Sequence, residues 1–303
     1  MKVTEKDIKV SKPEKIMYPG DEYTKADIVT YYEKIFDFIF PFVRNRLLML
    51  QRFPDGIKSS GFYQKELPDY FPGWIDRATV KKKEGGDITQ VICNSSETMV
   101  YLANQACITF HTWLSRADKP DFPDKVILDL DPPGKNFNMI RKTLPHIREF
   151  LEKDKLNVFL MTTGSKGLHL VMPVLPENNF DKVKAAADKL AERLENTCGD
   201  QFTTRQYKNK REGRIYLDSK RNSYGQTAVA PYSLRAAKGA PVATPVNWDE
   251  SLQKDFNARK YHIKNIFRRL SQVRDPWEDY FNEDLARKNT EILFNHQLES
   301  PLI

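Results

Sequence analysis

The stretch Lys125-Val-Ile-Leu-Asp129-Leu-Asp131-Pro-Pro-Gly134 joins a short apolar run to two aspartates and an abrupt stop. The run predicts a buried strand, which the prolines and Gly134 end. Asp129 and Asp131 are two residues apart, so their side chains lie on one face of an extended backbone. Carboxylates placed in this way repel each other unless a cation lies between them, and Mg²⁺ or Mn²⁺ suits oxygen ligands. The stretch therefore predicts a metal site for phosphate chemistry, and a polar loop after a core strand is the alternative.

The bulk composition points toward a polyanionic partner. The 303 residues carry 48 Lys and Arg against 41 Asp and Glu, a formal net charge of +7, which favours nucleic acid over a membrane surface. The cysteines Cys93, Cys107 and Cys198 are scattered, which argues against a zinc ribbon or a disulfide framework and fits a reducing compartment. Without an apolar leader or a bilayer-length apolar run, we expect a cytoplasmic protein with no membrane partner.

Two lysines flank the turn before the first predicted helix. Thr24 is a candidate N-cap for a helix from Lys25 to about Phe40, which Pro41 is expected to end. Lys15 and Lys25 are solvated surface lysines in the simpler interpretation. In the functional interpretation they lie near a helix N-terminus, where a phosphate is favoured.

Aromatic and basic segments suggest contacts with nucleic acid. Phe62-Tyr63-Gln64-Lys65 places two rings beside a lysine, although such rings are more often core residues than stacking platforms. Residues 76–95 predict a hairpin with Lys81-Lys82-Lys83 at its tip, and residues 203–214 form a basic loop. Both segments could follow a phosphate backbone or could simply be solvated.

A Gly-Ser-Lys-Gly turn joins two apolar strands, after Leu156–Thr163 and before Leu168–Val174. Its backbone N–H groups, the Ser165 hydroxyl and the Lys166 ammonium are the parts of a triphosphate cradle, and His169 follows it in the next strand. The turn is not a P-loop, because both the G-x-x-x-x-G-K-[ST] spacing and the following helix are missing. An ordinary hairpin turn is the alternative.

A second apolar strand ends in an aspartate at Arg214-Ile-Tyr-Leu-Asp218, and a later apolar segment closes on Arg235. Three strand-end carboxylates with an arginine match two-metal catalysis, in which an attacking hydroxyl is activated and a leaving pyrophosphate is neutralised. Asp218 alone could equally be a turn former. Residues 251–271 and 279–298 predict terminal helices, and without repeats or a long linker we expect one compact unit.

Taken together, these motifs resemble the polymerase domain of bacterial and archaeal ligase D, a member of the archaeo-eukaryotic primase superfamily that acts in non-homologous end joining. The resemblance covers roughly residues 8–278 and leaves 279–303 as a C-terminal helical tail. Its matching segments are Lys-Pro-Glu-Lys15-Ile-Met-Tyr-Pro, Thr24-Lys25-Ala-Asp27 with Tyr31-Tyr32, Phe62-Tyr63-Gln64-Lys65, Leu102-Ala-Asn-Gln with His111, Asp129-Leu-Asp131-Pro-Pro, Gly164-Ser165-Lys166-Gly167-Leu168-His169, Asp218 with Gln226-Thr-Ala-Val-Ala-Pro-Tyr-Ser-Leu-Arg235, and Asp275-Pro-Trp277.

The resemblance implies an α/β (α+β) primase-polymerase fold, with a mostly antiparallel catalytic sheet of the RNA-recognition-motif type flanked by helices. It implies a template-directed nucleotidyltransferase that fills gaps and extends ends with Mn²⁺ or Mg²⁺, two ions per site, and often prefers ribonucleotides. The implied roles are catalysis and metal binding for Asp129, Asp131 and Asp218; nucleotide binding for His111, Ser165, Lys166, Gly167, His169 and Arg235; binding of a DNA 5′-phosphate for Lys15 and Lys25; and template binding for Phe62, Tyr63 and Lys65.

The implied partners are DNA with 5′-phosphorylated gaps or broken ends, ribo- or deoxyribonucleoside triphosphates, Ku and an ATP-dependent DNA ligase, in a prokaryotic, nucleoid-associated setting. The lysine hairpin and the basic loop would correspond to loops that help two DNA ends to pair. The chain lacks a K-x-D-G ligase signature, so the ligase is expected to be a separate protein, and Ser219-Lys220-Arg221-Asn222 is more basic than the family pattern. A de novo primase, a non-catalytic DNA-end bridging module and an Asp-x-Asp glycosyltransferase are the alternatives.

Overall fold

The computed structural model describes residues 8–134 and 136–294. The strands are β1 Ile16–Tyr18, β2 Tyr23–Thr24, β3 Leu48–Arg52, β4 Phe62–Gln64, β5 Arg77–Lys81, β6 Asp87–Val91, β7 Cys107–Trp113, β8 Lys125–Asp131, β9 Phe159–Thr162, β10 Leu168–Pro173, β11 Phe202–Thr203, β12 Ile215–Asp218, β13 Thr227–Val229 and β14 Thr244–Val246. The helices are α1 Lys25–Lys34, α2 Phe36–Val43, α3 Ser96–Asn104, α4 Phe137–Lys153, α5 Phe180–Cys198, α6 Trp248–Ser251, α7 Ile266–Leu270 and α8 Glu283–Phe294. Within these ranges no helix is long and apolar enough to cross a bilayer.

The chain divides into two compact units that interleave along the sequence. The described part of the first unit comprises residues 8–118, 227–244 and 261–267, and the second unit takes the rest, through residues 119–226, 245–260 and 268–294. Because the chain passes back and forth between the units, no linker of distinct composition marks the boundary. The predicted division into a domain over 1–278 and a tail from 279 stays a prediction.

The first unit is built on an antiparallel sheet in the order β13-β7-β3-β4. All seven residues of β7 are buried, and β4 lies at the sheet edge. Helix α1 packs against α3, and the Tyr32 hydroxyl donates to the Ile108 carbonyl, fixing α1 to β7 at its base. A separate two-stranded hairpin, β5-β6, carries the predicted lysine tip.

The second unit contains the sheet that carries the aspartates. Its strand order is β11-β12-β8-β10-β9, with β14 at the far edge, and all its described pairings are antiparallel except β11 with β12. Strand β8 is buried along six of its seven residues because α5 packs on it, while α8 packs on β10. The predicted mixed α/β class, with a mostly antiparallel catalytic sheet flanked by helices, is confirmed.

Two helix predictions needed correction. The capping box at Thr24 and Asp27 starts α1 as expected, but α1 stops at Lys34 and a second helix, α2, contains Pro41 instead of ending before it. The helix predicted over 251–271 is wrong: within that range only Ser251, the last residue of α6, and α7 are α-helical. Between them the Asn257 side chain caps a turn by accepting from the Arg259 backbone N–H, and the backbone of His262 pairs with Pro241.

The predicted helix at 279–298 forms over Glu283–Phe294, and residues 295–303 lie outside the described residues. This helix is an integral part of the second unit. The Asn289 amide donates to the carbonyls of Asn157 and Pro173, and the Thr290 hydroxyl accepts from the Leu175 backbone N–H.

Candidate active site

The second unit places three polar side chains in one row across three adjacent strands. In the antiparallel register, Asp129 of β8 lies opposite Asp218 of β12 on one side and opposite His169 of β10 on the other. Cross-strand partners of this kind project from the same face of a sheet. Asp131 follows Asp129 by two residues and therefore shares that face, opposite Tyr216. The structure thus brings together all three predicted catalytic aspartates and His169.

The two central carboxylates have different electrostatic surroundings. Burial opposes the charge on Asp129, but His169, Arg221 and Lys166 outweigh it and lower the pKa of that carboxyl. Burial, reinforced by the negative charge of Asp129, raises the pKa of Asp131. The pKa values of two carboxylates that share a site are expected to move apart in this way when nearby positive charge stabilises one carboxylate more than the other.

Basic side chains lie beside both carboxylates. Lys166 Nζ is 3.1 Å from Asp131 Oδ1, and on Asp129 Oδ2 His169 Nε2 lies at 3.5 Å and an Arg221 guanidinium nitrogen at 3.9 Å. Because Lys166 is half exposed, solvent screens its ion pair with Asp131. Another cation can therefore replace Lys166 beside the carboxylate, and an anion can replace the carboxylate beside Lys166. The site therefore contains ion pairs between basic side chains and aspartates, and an incoming metal ion or phosphate can replace one member of a pair.

Two buried polar atoms at the site are candidates for contacts with an ion or a ligand. Among the described residues, Asp129 Oδ1 and His169 Nδ1 are buried without a hydrogen-bond partner. A buried carboxylate oxygen left in this way is costly unless an ion or water satisfies it. In the same part of the chain no set of three His, Cys, Asp or Glu side chains is already arranged as metal ligands. The donor chemistry of the site, with Asp129, Asp131 and Asp218 on one face of the sheet, fits a hard divalent cation.

The turn at residues 163–167 is organised by Thr163, which sequence reasoning overlooked. Its hydroxyl accepts from the backbone N–H groups of Ser165 and Gly167, and the Thr163 N–H donates to the Gly167 carbonyl. Gly164 takes a left-handed φ of +63°, which glycine adopts without strain. The signal was a threonine directly before a glycine turn, a pattern that favours side-chain to backbone bonding.

Gly167 lets this turn approach the aspartates. A Cβ at this position would lie 2.5 Å from the Leu130 carbonyl oxygen, 3.1 Å from Asp129 Oδ1 and 3.5 Å from Asp131 Oδ1. The missing side chain is therefore a steric condition for bringing the Ser165–Lys166 turn against the carboxylates.

The segment after Asp218 fixes the end of β12. The buried Asn222 side chain accepts from the Ile127 N–H and donates to the Ile127 and Ser219 carbonyls, so it continues the pairing of β8 beyond β12. Asp218 Oδ1 accepts from the Lys220 N–H, and the Tyr216 hydroxyl lies 3.4 Å from the same oxygen. Arg221 and Asn222 were visible in the sequence only as part of an unusually basic segment.

In the first unit, Lys15 and Lys25 form a basic cluster with Lys12. Lys25 is buried, and its ammonium donates to the Ser11 hydroxyl at 3.0 Å and to the Asn104 carbonyl at 3.1 Å. Burial lowers the pKa of Lys25, and the charges of Lys15 and Lys12 lower it further. Lys15 pairs with the exposed carboxylate of Asp55 at 2.7 Å.

The predicted template residues lie on the edge strand β4, also in the first unit. Phe62 and Tyr63 are 44% and 57% exposed, so neither is the core residue that was the alternative. Lys65 directly follows the strand and is exposed. His111 is buried in β7, with its ring perpendicular to that of Tyr63 at a centroid distance of 6.0 Å.

Arg235 belongs to the first unit as well. It is half-buried, with its backbone N–H donating to the Pro241 carbonyl and its own carbonyl accepting from the Tyr18 hydroxyl. The lysine hairpin tip is fully exposed, and Lys81 pairs with Asp87. In the basic loop of the second unit, the Arg211 guanidinium lies 3.9 Å over the Tyr216 ring and Arg214 pairs with Glu212.

The sheet, its aspartate row and the adjoining glycine turn define a primase-polymerase, a DNA-directed nucleotidyltransferase. A family model described as "LigD, primase-polymerase domain" matches residues 24–277, and the chain belongs to this family. The polymerase domain from Mycobacterium tuberculosis ligase D, solved in complex with DNA, is similar at a TM-score of 0.83 and 28% identity, covering 90% of this chain and 98% of that one.

Two curated relatives agree with this assignment. The bifunctional non-homologous end joining protein LigD of Bacillus subtilis is 27% identical over 94% of this chain, and the multifunctional non-homologous end joining protein LigD of Mycolicibacterium smegmatis is 28% identical over 88%. The match spans 46% of the first relative and 35% of the second, so this chain corresponds to less than half of either.

Proposed function

We propose that this chain is a template-directed polymerase that fills gaps and extends DNA ends during double-strand break repair by non-homologous end joining. The observation that carries the proposal is the row of Asp218, Asp129 and His169, with Asp131 on the same face and an unsatisfied buried oxygen on Asp129. The family assignment and the likeness to a ligase D polymerase domain bound to DNA support the same conclusion.

The three aspartates would hold divalent ions, Mn²⁺ or Mg²⁺, two per site. When bound, such ions supply Lewis-acid activation of the primer hydroxyl and neutralise the leaving pyrophosphate. Ser165 and Lys166 would bind the triphosphate from the turn, with Gly167 leaving room for it. His169 would contact a phosphate oxygen through Nδ1, the ring nitrogen without a partner among the described residues. Its Nε2 faces Asp129 and helps to lower the pKa of that carboxyl.

Two further residues carry proposed roles toward the nucleotide. His111 is proposed to contact the sugar, and Arg235 to grip phosphate oxygens with its planar guanidinium. The preference for ribonucleotides is part of this proposal. We expect His111→Ala to lower discrimination between ribo- and deoxyribonucleotides more than it lowers overall extension, as measured by parallel extension assays with each nucleotide.

The cluster of Lys15 and Lys25 is proposed to bind the 5′-phosphate on the far side of a gap. The Lys25 ammonium is held by neutral oxygens, and among the described residues it forms no salt bridge with a carboxylate. The Lys15 ammonium bonds to the well-exposed Asp55 carboxylate, an exposed ion pair that a phosphate can displace. Replacing both lysines with alanine should remove the preference for phosphorylated over unphosphorylated gaps in a binding titration, and equal binding of both gaps by the unaltered protein would contradict the role.

Phe62, Tyr63 and Lys65 are proposed to hold the template strand. Exposed rings on an edge strand provide stacking surfaces for bases, and Lys65 adds a phosphate contact. On duplex DNA, each phosphate contact removed should reduce the slope of log affinity against log salt by about 0.9. Lys65→Ala is therefore expected to flatten this slope, and Phe62→Ala to weaken binding without flattening it.

The proposed partners are broken DNA ends, Ku and an ATP-dependent DNA ligase, in the nucleoid of a prokaryotic cell. The exposed lysine tip of the hairpin and the basic loop at 203–214 are proposed to contact the ends. Extension of a 5′-phosphorylated gap by purified protein with Mn²⁺ tests the polymerase activity itself. Tight binding to the phosphorylated end without extension on any substrate would favour a bridging module instead.

A further inference from the structure

Exposed aromatic side chains continue along the chain beyond the proposed template residues. Among the described residues, eight large hydrophobic side chains are exposed, and four of them lie between Phe62 and Trp74. Phe62 and Tyr63 are accounted for by the proposed template contacts. Tyr70, at 61% exposure, and Trp74, at 36%, are not.

These side chains are continuous with Phe62 through Arg52. The Arg52 guanidinium lies 5.4 Å from the Phe62 ring centre, and one of its nitrogens donates to the Tyr70 hydroxyl at 2.9 Å. Since Arg52 also donates to the Gln105 carbonyl and to Gln64, it is a fixed connection between the two rings.

Beyond Tyr70 the rings follow one another at near-perpendicular angles. Tyr70 contacts Phe71 at 5.2 Å, Phe71 contacts Tyr101 at 5.2 Å, and Trp74 contacts Tyr101 at 5.8 Å. The loop is held in place by Arg77, which donates to the Pro72 and Ile75 carbonyls. Perpendicular packing means that the rings are not stacked face to face on one another, so an exposed ring keeps a face for another planar group.

The charges around this surface are unlike those of a phosphate-binding groove. Beyond Lys65, the loop between β4 and β5 exposes Glu66, Asp69 and Asp76, and Arg52 is engaged by protein oxygens. Phosphates are therefore not attracted here, whereas nucleobases stack on aromatic rings whatever the sequence. The chemistry selects for bases of an unpaired strand.

We propose that Tyr70 and Trp74 extend the template-binding surface, so that unpaired template bases lying beyond those on Phe62 and Tyr63 stack on them. The inference rests on the proposed function, because it needs Phe62 and Tyr63 to contact the template. It gives the protein a preference for ends with longer single-stranded overhangs. This added affinity comes from bases and not from phosphates.

Anisotropy titrations on 5′-phosphorylated duplexes with template overhangs of increasing length test the proposal. Affinity should rise with length and then level off, and Tyr70→Ala should lower affinity about tenfold on long overhangs and leave short ones unchanged. Tyr70→Phe should retain the long-overhang affinity because it keeps the ring. Phe122→Ala, which removes an exposed ring in the second unit, is the control and should bind normally.

Abasic nucleotides separate stacking from other contacts. Removing the distal bases from the overhang should lower the affinity of the unaltered protein by as much as Tyr70→Ala does. The same abasic overhang should not lower the affinity of the Tyr70→Ala variant any further. The salt dependence should keep its slope in Tyr70→Ala, whereas loss of one phosphate contact would reduce it by about 0.7 on a single strand. Trp74→Phe, which preserves packing on Tyr101, covers the possibility that Trp74→Ala misfolds.

Three results would overturn the proposal: affinity that does not depend on overhang length, equal loss by Tyr70→Ala on short and long overhangs, or a flattened salt slope in that variant. In each case gap extension by the unaltered protein keeps the proposed function intact. If the unaltered protein neither extends nor binds any of these DNAs, it is the proposed function that fails. If this surface binds a protein partner instead, DNA affinity should not depend on the length of the overhang.

Discussion

Asp218 on β12 lies directly opposite Asp129 on β8, and no protein cation within salt-bridge distance of Asp218 is found in the described chain. Like charges placed opposite each other on neighbouring strands are destabilising by roughly 0.2–1 kcal/mol. The pair therefore holds unfavourable charge that divalent ions would relieve.

Asp218→Asn is expected to raise the free energy of unfolding in EDTA by an amount of this order, since it removes one of the opposed charges. The same change should abolish most of the stabilisation that Mn²⁺ gives the unaltered protein, because ligand-linked stabilisation follows site occupancy. Thermal unfolding with EDTA and with Mn²⁺ measures both effects. Asp181→Asn, a surface change at the start of α5, is the control, and equal Mn²⁺ stabilisation of Asp218→Asn and the unaltered protein would rule out a ligand role for Asp218.

Gly167→Ala should destabilise the protein by about 1–3 kcal/mol, because the new methyl group would overlap the Leu130 carbonyl and push against Asp129. Chemical denaturation provides the measurement. Gly73→Ala is the matched control, since a Cβ there meets nothing within 4 Å, and it should change stability by less than about 0.5 kcal/mol. If the two variants are equally stable, the close approach of the turn is not a constraint.

Lys166→Met should change the pH dependence of Mn²⁺ binding in the absence of nucleotide. Burial first, and Asp129 second, raise the pKa of Asp131, while Lys166 lowers it. Without Lys166 the carboxyl of Asp131 keeps its proton to a higher pH, so on acidification Mn²⁺ binding should begin to fail at a higher pH than in the unaltered protein. At a pH high enough to ionise Asp131 in both proteins, the variant should bind at least as tightly, because a competing cation is gone.

Electron paramagnetic resonance of free Mn²⁺, recorded across the acidic range, measures the pH at which each protein loses Mn²⁺ binding. Lys182→Met removes an exposed lysine at the start of α5 and should leave the profile unchanged. A profile for Lys166→Met that overlays the unaltered one would show that the Lys166–Asp131 ion pair does not influence the site.

The preference for a 5′-phosphorylated gap should decline with rising pH before an ordinary lysine would lose its proton. Burial lowers the pKa of Lys25 from 10.5, helped by Lys15 and Lys12, and phosphate binding needs the charged form. As pH rises through this lowered pKa, the ammonium is lost and so is the preference. Lys25→Arg keeps its charge to much higher pH and should keep the preference over the same range. Anisotropy with paired gaps measures it, and parallel decline in both proteins would assign the effect to another group.

Much of the site followed from local patterns in the sequence. The i, i+2 spacing of Asp129 and Asp131 fixed their shared face, because strand periodicity allows no other arrangement. Asp218 and His169 were each placed at strand positions, but strand spacing alone does not reveal which strands are neighbours. Their common row with Asp129 depends on the order β12-β8-β10, which long-range pairing determines.

Other parts of the site could not be predicted in this way. Arg221 and Asn222 act through contacts with residues more than ninety positions earlier, so a single segment carries no sign of them beyond its charge. The helix expected over 251–271 failed because backbone and side-chain bonds at 257–265 compete with helix formation. Likewise, only the structure showed that Phe62 and Tyr63 are exposed, since burial of a ring depends on what packs over it.

The most direct test is primer extension across a 5′-phosphorylated gap with Mn²⁺, comparing the unaltered protein with Asp129→Asn. We expect templated addition that stops at the gap length and a loss of more than about a hundredfold in the variant, since even residues that only support metal ligands cost 10–100-fold. DNA binding by the variant should remain. Extension by Asp129→Asn at the unaltered rate would contradict the account, because the row of Asp218, Asp129 and His169 would then not be the catalytic centre.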